Sequence, residues 1–306
     1  MAFVYFPGCK IPYHLPGYDS ATRAVLGAFE IDLITPDLTC CGYPIRHRNA
    51  DAFVYSAARV MAIAQELGHP LLTPCMCCYG SLKHADHRLR NHPPLEKAVN
   101  ALLAEEGLRW TSEIAVRHLL SVLHDDIGVD AISRRTATPI GPMTVAAHYG
   151  CHGIRPARIM AFDNPFSPVR FEKLIAATGA TPIEWSQRTD CCGSPLWGRN
   201  DALALSMMTN KLRTARRAGA DRIVTGCTYC QLHFGPVRRA SAVDSDGPPA
   251  VTYPRLLGES MGIPPNLLGE GLPERPPDPD LQKPLAPPMT GASPLFSTRE
   301  GTPEHG

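Results

Sequence analysis

The feature that most constrains this chain is that its cysteines come twice in the same order. A lone Cys9, the pair Cys40-Cys41 followed by glycine, and the run Cys75-Met76-Cys77-Cys78 make the first set. Cys151, the pair Cys191-Cys192 followed by glycine, and the run Cys227-Thr228-Tyr229-Cys230 make the second. Between Cys41 and Cys75 lie 33 residues, between Cys192 and Cys227 there are 34, and none of the 11 cysteines falls outside the two sets. Self-similarity of this kind means two copies of one folding unit. The repeat extends beyond sulfur. CCGYPIRHRNADA from Cys40 aligns with CCGSPLWGRNDAL from Cys191, pairing Pro44 with Pro195, Arg48 with Arg199 and Asn49 with Asn200.

The same alternation of elements follows in each copy. After the glycine of the cysteine pair comes a helical stretch that ends at Gly68 or Gly219. In the first, Phe53, Val54, Ala57, Val60, Met61, Ala64 and Leu67 recur at helical spacing and predict one buried face. In the second, Asn200 or Asp201 caps a helix that runs through Leu205, Met208, Leu212 and Ala215. Short apolar strands at 69–73 and 221–225 then lead straight into Cys75 and Cys227. Cys9 and Cys151 likewise follow the strand-like stretches 3–8 and 145–150, with helices expected near 20–29 and 168–178. Strands alternating with helices predict parallel pairing in an α/β fold, where ligands gather at the carboxyl ends of strands.

The expected organisation is two tandem, pseudo-symmetric α/β halves at 1–94 and 141–268, a helical connector at 95–140, and a tail at 269–306. From Gly271 onward there are nine prolines and few large apolar residues, a composition that predicts disorder. Pro294-Leu295-Phe296 is the one segment there with the makings of a docking contact.

A formal net charge of +1 without a basic run excludes the electrostatic footprint of a nucleic-acid binder. No apolar run approaches the roughly 20 residues of a membrane-spanning helix. The opening MAFVYFPGC lacks the pattern of a signal peptide, so a cytoplasmic location is expected. In a reducing compartment such a cysteine pattern speaks for metal binding or catalysis rather than disulfides.

Thiolates in this number suit iron–sulfur clusters, which normally take four cysteines each. Structural zinc also takes four ligands but commonly pairs two Cys-x-x-Cys knuckles, and here each set has one knuckle and an adjacent pair. Cys77 is an extra thiol in the first knuckle, either a packed bystander or an additional redox or ligand group. Lys10, His148 and His152 flank the cysteines, the histidines reading as hydrogen-bond donors to sulfur. Lys83, His84 and His87 read as a solvated helix face. Arg48 and Arg199 recur in both copies, in position to offset cluster charge, to hold an anionic substrate, or simply to enter a helix.

Two copies of a lone Cys, a Cys-Cys-Gly and a Cys-x-x-Cys at these spacings resemble the CCG-domain family, and within it the B subunits of heterodisulfide reductases. FPGCKIPYHLPGYDSATRAVL, HYGCH, DIGVD and LLGESMGI carry the likeness, which covers about residues 3–268. The resemblance implies two non-cubane [4Fe–4S] clusters facing one cavity where a disulfide is cleaved. It assigns Cys9, Cys40, Cys41, Cys75 and Cys78 to the first cluster, and Cys151, Cys191, Cys192, Cys227 and Cys230 to the second. It implies an oxidoreductase of sulfur metabolism acting on disulfides or thiols, in either direction. The chain has neither a bacterial-ferredoxin cysteine run nor a Gly-x-Gly-x-x-Gly fingerprint, so electrons are expected to pass through another protein. In the family these partners are a small ferredoxin-like C subunit and a flavin-containing A subunit. The alternatives are a pure electron-transfer protein of the lactate-oxidation type and a zinc-stabilised assembly protein.

Overall fold

The computed structural model describes residues 1–137, 140–241 and 247–278. Eight short strands form two four-stranded parallel sheets. The first contains β1 (Ala2–Tyr5), β2 (Asp32–Ile34), β3 (Leu71–Thr73) and β4 (Val116–His118), in the order β2-β1-β3-β4. The second contains β5 (Thr144–His148), β6 (Thr181–Ile183), β7 (Arg222–Thr225) and β8 (Ala250–Thr252), in the order β6-β5-β7-β8. Both sheets reverse direction of winding between their two central strands. That is the switch point where open α/β sheets form a crevice at the carboxyl ends of the strands.

Helices cover the sheets for reasons visible in the residues. Helix α1 (Pro16–Ala28) begins with proline, which needs no hydrogen-bond donor there, and buries Tyr18, Ala21, Thr22, Val25 and Leu26. Helix α2 (Ala50–Glu66) is capped by the Asn49 side chain, which accepts from the Asp51 and Ala52 amides. It buries the expected face through Ala64, but Leu67 is 41% exposed, because the helix ends at Glu66 and turns away. The predicted strand–Cys-x-x-Cys junctions lead into α3 (Met76–Asn91) in the first half. In the second, α4 (Asp201–Arg217), capped by Asn200, precedes β7, and α5 (Thr228–Leu232) follows it. Lys83, His84 and His87 lie half-buried on α3 rather than on an open face.

Two stretches depart from the expected organisation. The connector 95–140 is helical at its ends, but at Val116–His118 it supplies the fourth strand of the first sheet, pairing Leu71 with Val116 and Thr73 with His118. The stretch 269–278, expected to be part of a disordered tail, is ordered against both halves. Gly269 meets the backbone of Gly17, the Arg275 amide donates to the His14 carbonyl at 3.0 Å, and Glu274 pairs with Arg239. The rest of the tail, with Pro294-Leu295-Phe296, lies outside the described residues. Helix α6 (Tyr253–Ser260), at the end of the second half, packs against α1 of the first.

The halves meet at a buried seam. The Met76 amide donates to the Gly226 carbonyl at 3.1 Å. The Nδ1 atom of His118 accepts from the Leu120 amide, which leaves Nε2 to donate to the same Gly226 carbonyl at 3.1 Å. Burial holds this imidazole neutral, with its pKa down at about 4. The Tyr79 hydroxyl reaches the Met160 carbonyl at 2.7 Å.

Candidate metal centre

Each half delivers its cysteines from the carboxyl ends of its strands. Cys9 follows β1 and Cys151 follows β5, while Cys75 and Cys227 come two residues after β3 and β7 as the N-cap residues of α3 and α5. The Cys-Cys-Gly turns arrive from the loops after β2 and β6. Their glycines are obligatory. Gly42 has φ +77° and Gly193 has φ +93°, and a Cβ at either would sit 2.8 Å from a carbonyl oxygen of the following helix, Phe53 or Ala204.

Ten of the 11 thiols form one continuous string. Cys9 donates to Cys40 at 3.8 Å, Cys40 meets Cys41, Cys41 lies 3.6 Å from Cys78, and Cys78 meets Cys75. Cys75 then meets Cys227 across the seam. The second half repeats the order in reverse: Cys227 to Cys230, Cys230 to Cys192 at 3.4 Å, Cys192 to Cys191, and Cys191 to Cys151. The string thus passes through the pseudo-symmetry axis at the two knuckles. Equivalent thiols are acidified in each half. Hydrogen bonds from Cys41 and Cys9 push Cys40 down to about 3, and those from Cys151 and Cys192 push Cys191 down to about 2. Cys77 is buried but hydrogen-bonds to none of the others, and burial raises its pKa well above the usual thiol value.

Residues from both halves line the mouth of the string. The rings of Tyr43 and Tyr229 pack 5.0 Å apart, and both border the first cysteine recess and the second. Lys10 lies over the Tyr229 ring at 5.4 Å. Arg46 lies over the Tyr43 ring at 4.3 Å and reaches His152 Nε2 at 3.4 Å. Burial, then Arg46, holds the His152 imidazole neutral with a pKa of about 4. Neither Lys10 nor Arg46 makes an ion pair among the described residues. Arg48 and Arg199 occupy the turns just before the caps Asn49 and Asn200, and both are exposed. His148 is buried, with Nε2 3.3 Å from the Cys230 sulfur, and forms a close group with Cys192 and Cys230.

Motif spacing alone does not single out Tyr43, Tyr229, Arg46 or Lys211. Lys211 is 1% exposed on α4, and its ammonium donates to the Gln187 carbonyl with no carboxylate partner in the described residues. Only the alignment of the two copies could have flagged it, because the equivalent position on α2 is Val60. Burial pushes the Lys211 pKa down, and the groups that favour its charge are Cys192, then the exposed Asp190 carboxylate, then Cys230 and Cys191, so the buried anions beside it are thiols. Five thiols per half exceed the four positions of a zinc site, so the donor set fits an anionic iron–sulfur cluster. A cavity of about 550 Å³ beside β8 touches no cysteine, and its Arg222, Arg255 and Arg239 are paired with Glu259 and Glu274.

Gly8 has φ +76°, and a Cβ there would lie 2.8 Å from the Cys78 sulfur. Gly68, at φ +70°, has open space around it. Gly68→Ala is expected to cost about 1–2 kcal/mol, the left-handed backbone penalty alone. Gly8→Ala should cost more and lower the metal content, whereas Gly68→Ala should leave metal content unchanged. Urea unfolding and metal analysis of both variants check this, and equal effects at the two positions would contradict the steric account.

Comparison with known proteins agrees with this arrangement. The cysteine-rich CCG domain matches residues 3–83 and again residues 145–235. The chain is 33% identical over 272 residues to the B subunit of the ferredoxin/F420H2-dependent CoB-CoM heterodisulfide reductase of Methanosarcina acetivorans, covering 86% of this chain and 90% of that one. It is 27% identical over 273 residues to the 8-methylmenaquinol:fumarate reductase membrane anchor subunit of Wolinella succinogenes, covering 87% and 94%. A hypothetical protein from Helicobacter pylori shares the fold, with a TM-score of 0.67 at 16% identity over 90% of this chain, which spans 52% of that one. No helix among the described residues is long and apolar enough to cross a membrane. With two copies of the domain and a heterodisulfide reductase B subunit at this identity over most of both chains, the protein belongs to the CCG cysteine-rich domain family.

Proposed function

We propose that the chain is the catalytic iron–sulfur component of a heterodisulfide-reductase-like complex, performing disulfide–thiol chemistry at two [4Fe–4S] clusters of non-cubane type. The observation that carries this is the ten-thiol string crossing the seam, since it brings two five-cysteine sets to one shared mouth. Cys9, Cys40, Cys41, Cys75 and Cys78 would hold the first cluster, and Cys151, Cys191, Cys192, Cys227 and Cys230 the second. When bound, such clusters supply one electron each, and iron as a Lewis acid for each sulfur of a disulfide. The residues of the chain do the rest. Tyr43 and Tyr229 wall the approach, while Lys10 and Arg46 offer unpaired positive charge at its rim. The electron partners are a ferredoxin-like C subunit and a flavin-containing A subunit, in the cytoplasm. The name of the Methanosarcina relative, the B subunit of a ferredoxin-dependent enzyme, supports such an assembly.

Metal analysis tests the assignment. Protein purified without oxygen is expected to carry about eight irons and no zinc. A ratio of about four irons to one zinc would make one half a structural zinc site. Adding a thiol to the oxidised protein should change the paramagnetic resonance of both clusters. Spectra unchanged by every thiol and disulfide tried would leave a pure electron carrier instead.

A further inference from the structure

The two halves repeat each other in backbone and in cysteines, but not in what lies behind the cysteines. Three residues before the lone cysteine stands Phe6 in the first half and His148 in the second. Eleven residues after the cap asparagine stands Val60 in the first and Lys211 in the second. All four side chains are buried, at 2% exposure or less. His148 lies between Trp185 and Phe234, at 6.5 Å and 5.1 Å between ring centres, and its Nε2 is 3.3 Å from the Cys230 sulfur. Its Nδ1 is buried with no partner. With a cluster in place the Cys230 thiolate could only accept, so Nε2 would carry the proton and Nδ1 would be the bare nitrogen. The Lys211 ammonium lies over the same Trp185 ring at 5.2 Å. One buried donor and one buried cation therefore face the second thiol set, where the equivalent positions behind the first set hold only hydrocarbon, and the cation of the first set, Lys10, sits beside Cys9 and Cys40 at the partly exposed rim, where solvent screens it.

We propose that His148 and Lys211 are positioning residues that make the two clusters electronically unequal, holding the second at a higher reduction potential than the first. This rests on the two-cluster reading above. Reduction adds one negative charge to a cluster. A hydrogen bond to a ligand sulfur and a nearby cation both stabilise that added charge, so both raise the potential. The first electron from any one-electron donor then rests on the second cluster, and the first cluster is the stronger reductant of the pair. Filling is ordered rather than random, although the backbone is symmetric.

The test is a redox titration with dithionite followed by paramagnetic resonance on the anaerobic, iron-loaded full chain, with the two signals assigned from Cys41→Ala and Cys192→Ala protein. In the wild type the second signal is expected to appear at the more positive potential. His148→Phe and Lys211→Met should each shift the second midpoint negative and leave the first in place, and His148→Gln, which keeps a donor, should restore most of the shift. Phe6→His should move the first midpoint positive, which keeps the idea testable if the other variants load poorly. Midpoints that stay put in these variants at full iron content would overturn the proposal. So would loss of the second cluster from both His148 variants, since that makes the imidazole a ligand. Absence of iron in the wild type is a separate result, and it would strike the two-cluster reading itself.

Discussion

Cys41→Ala and Cys192→Ala are each expected to abolish disulfide turnover rather than halve it. Each substitution breaks the string inside one half: Cys41 joins Cys40 to Cys78, and Cys192 joins Cys191 to Cys230. Iron is expected to fall from about eight to about four in either variant. On the proposed function a disulfide would need two electrons and one site for each sulfur, so the remaining set could not complete the reaction. Groups that act as a unit lose nearly everything when one is removed, here on the order of 10³-fold. Turnover is measured with reduced viologen dye and the small disulfide best used by the wild type. Cys77→Ala is the control. Lying outside the string, it should keep its iron and at least half of the rate. Half-activity in Cys41→Ala or Cys192→Ala would mean that the sites work independently, as in a carrier.

Stripping the iron with a chelator under reducing conditions should lower the melting temperature by about 6–20 °C. This range follows from Lys211, whose buried ammonium is compensated mainly by the second thiol set, with the exposed Asp190 as the one carboxylate that contributes. Leaving a buried charge unpaired costs about 3–5 kcal/mol, and each kcal/mol shifts the midpoint by about 2–4 °C in a chain of this size. Lys211→Met separates this cause from general loosening. The stripped Lys211→Met protein should melt above the stripped wild type, because it has no charge left to strand. If the two stripped proteins melt together, Lys211 is not what the metal compensates.

The doubled unit was legible because its signals are local. Asn49 and Asn200 announce the starts of α2 and α4, and the apolar runs before Cys75 and Cys227 are strands because they end at the crevice. What was not legible is set by partners distant in sequence. Val116–His118 and Ala250–Thr252 are three-residue edge strands, too short to show a period, and only pairing with β3 and β7 makes them strands. Thr181–Ile183 contains Pro182 and holds only at an edge, where a missing donor is tolerated. The stretch 269–278 reads as coil by composition and is ordered by His14, Gly17 and Arg239, which no local pattern reveals. At the site, cysteine spacing exposed the string but not its walls. Tyr43, Tyr229 and Lys211 look like ordinary core residues until the fold brings them to sulfur.

The packing of α6 and Gly269 onto α1 has a consequence for how the chain is made. Helix α1 leaves the ribosome well before the segment that covers it, which begins at Tyr253. At about 5–20 residues per second, roughly 10–50 seconds of translation separate the two. During that interval the N-terminal half carries an uncovered apolar face beside six thiols. Its maturation therefore waits until the segment from Tyr253 to Gly269 has been made, and a product lacking that segment is expected to leave both halves unfinished.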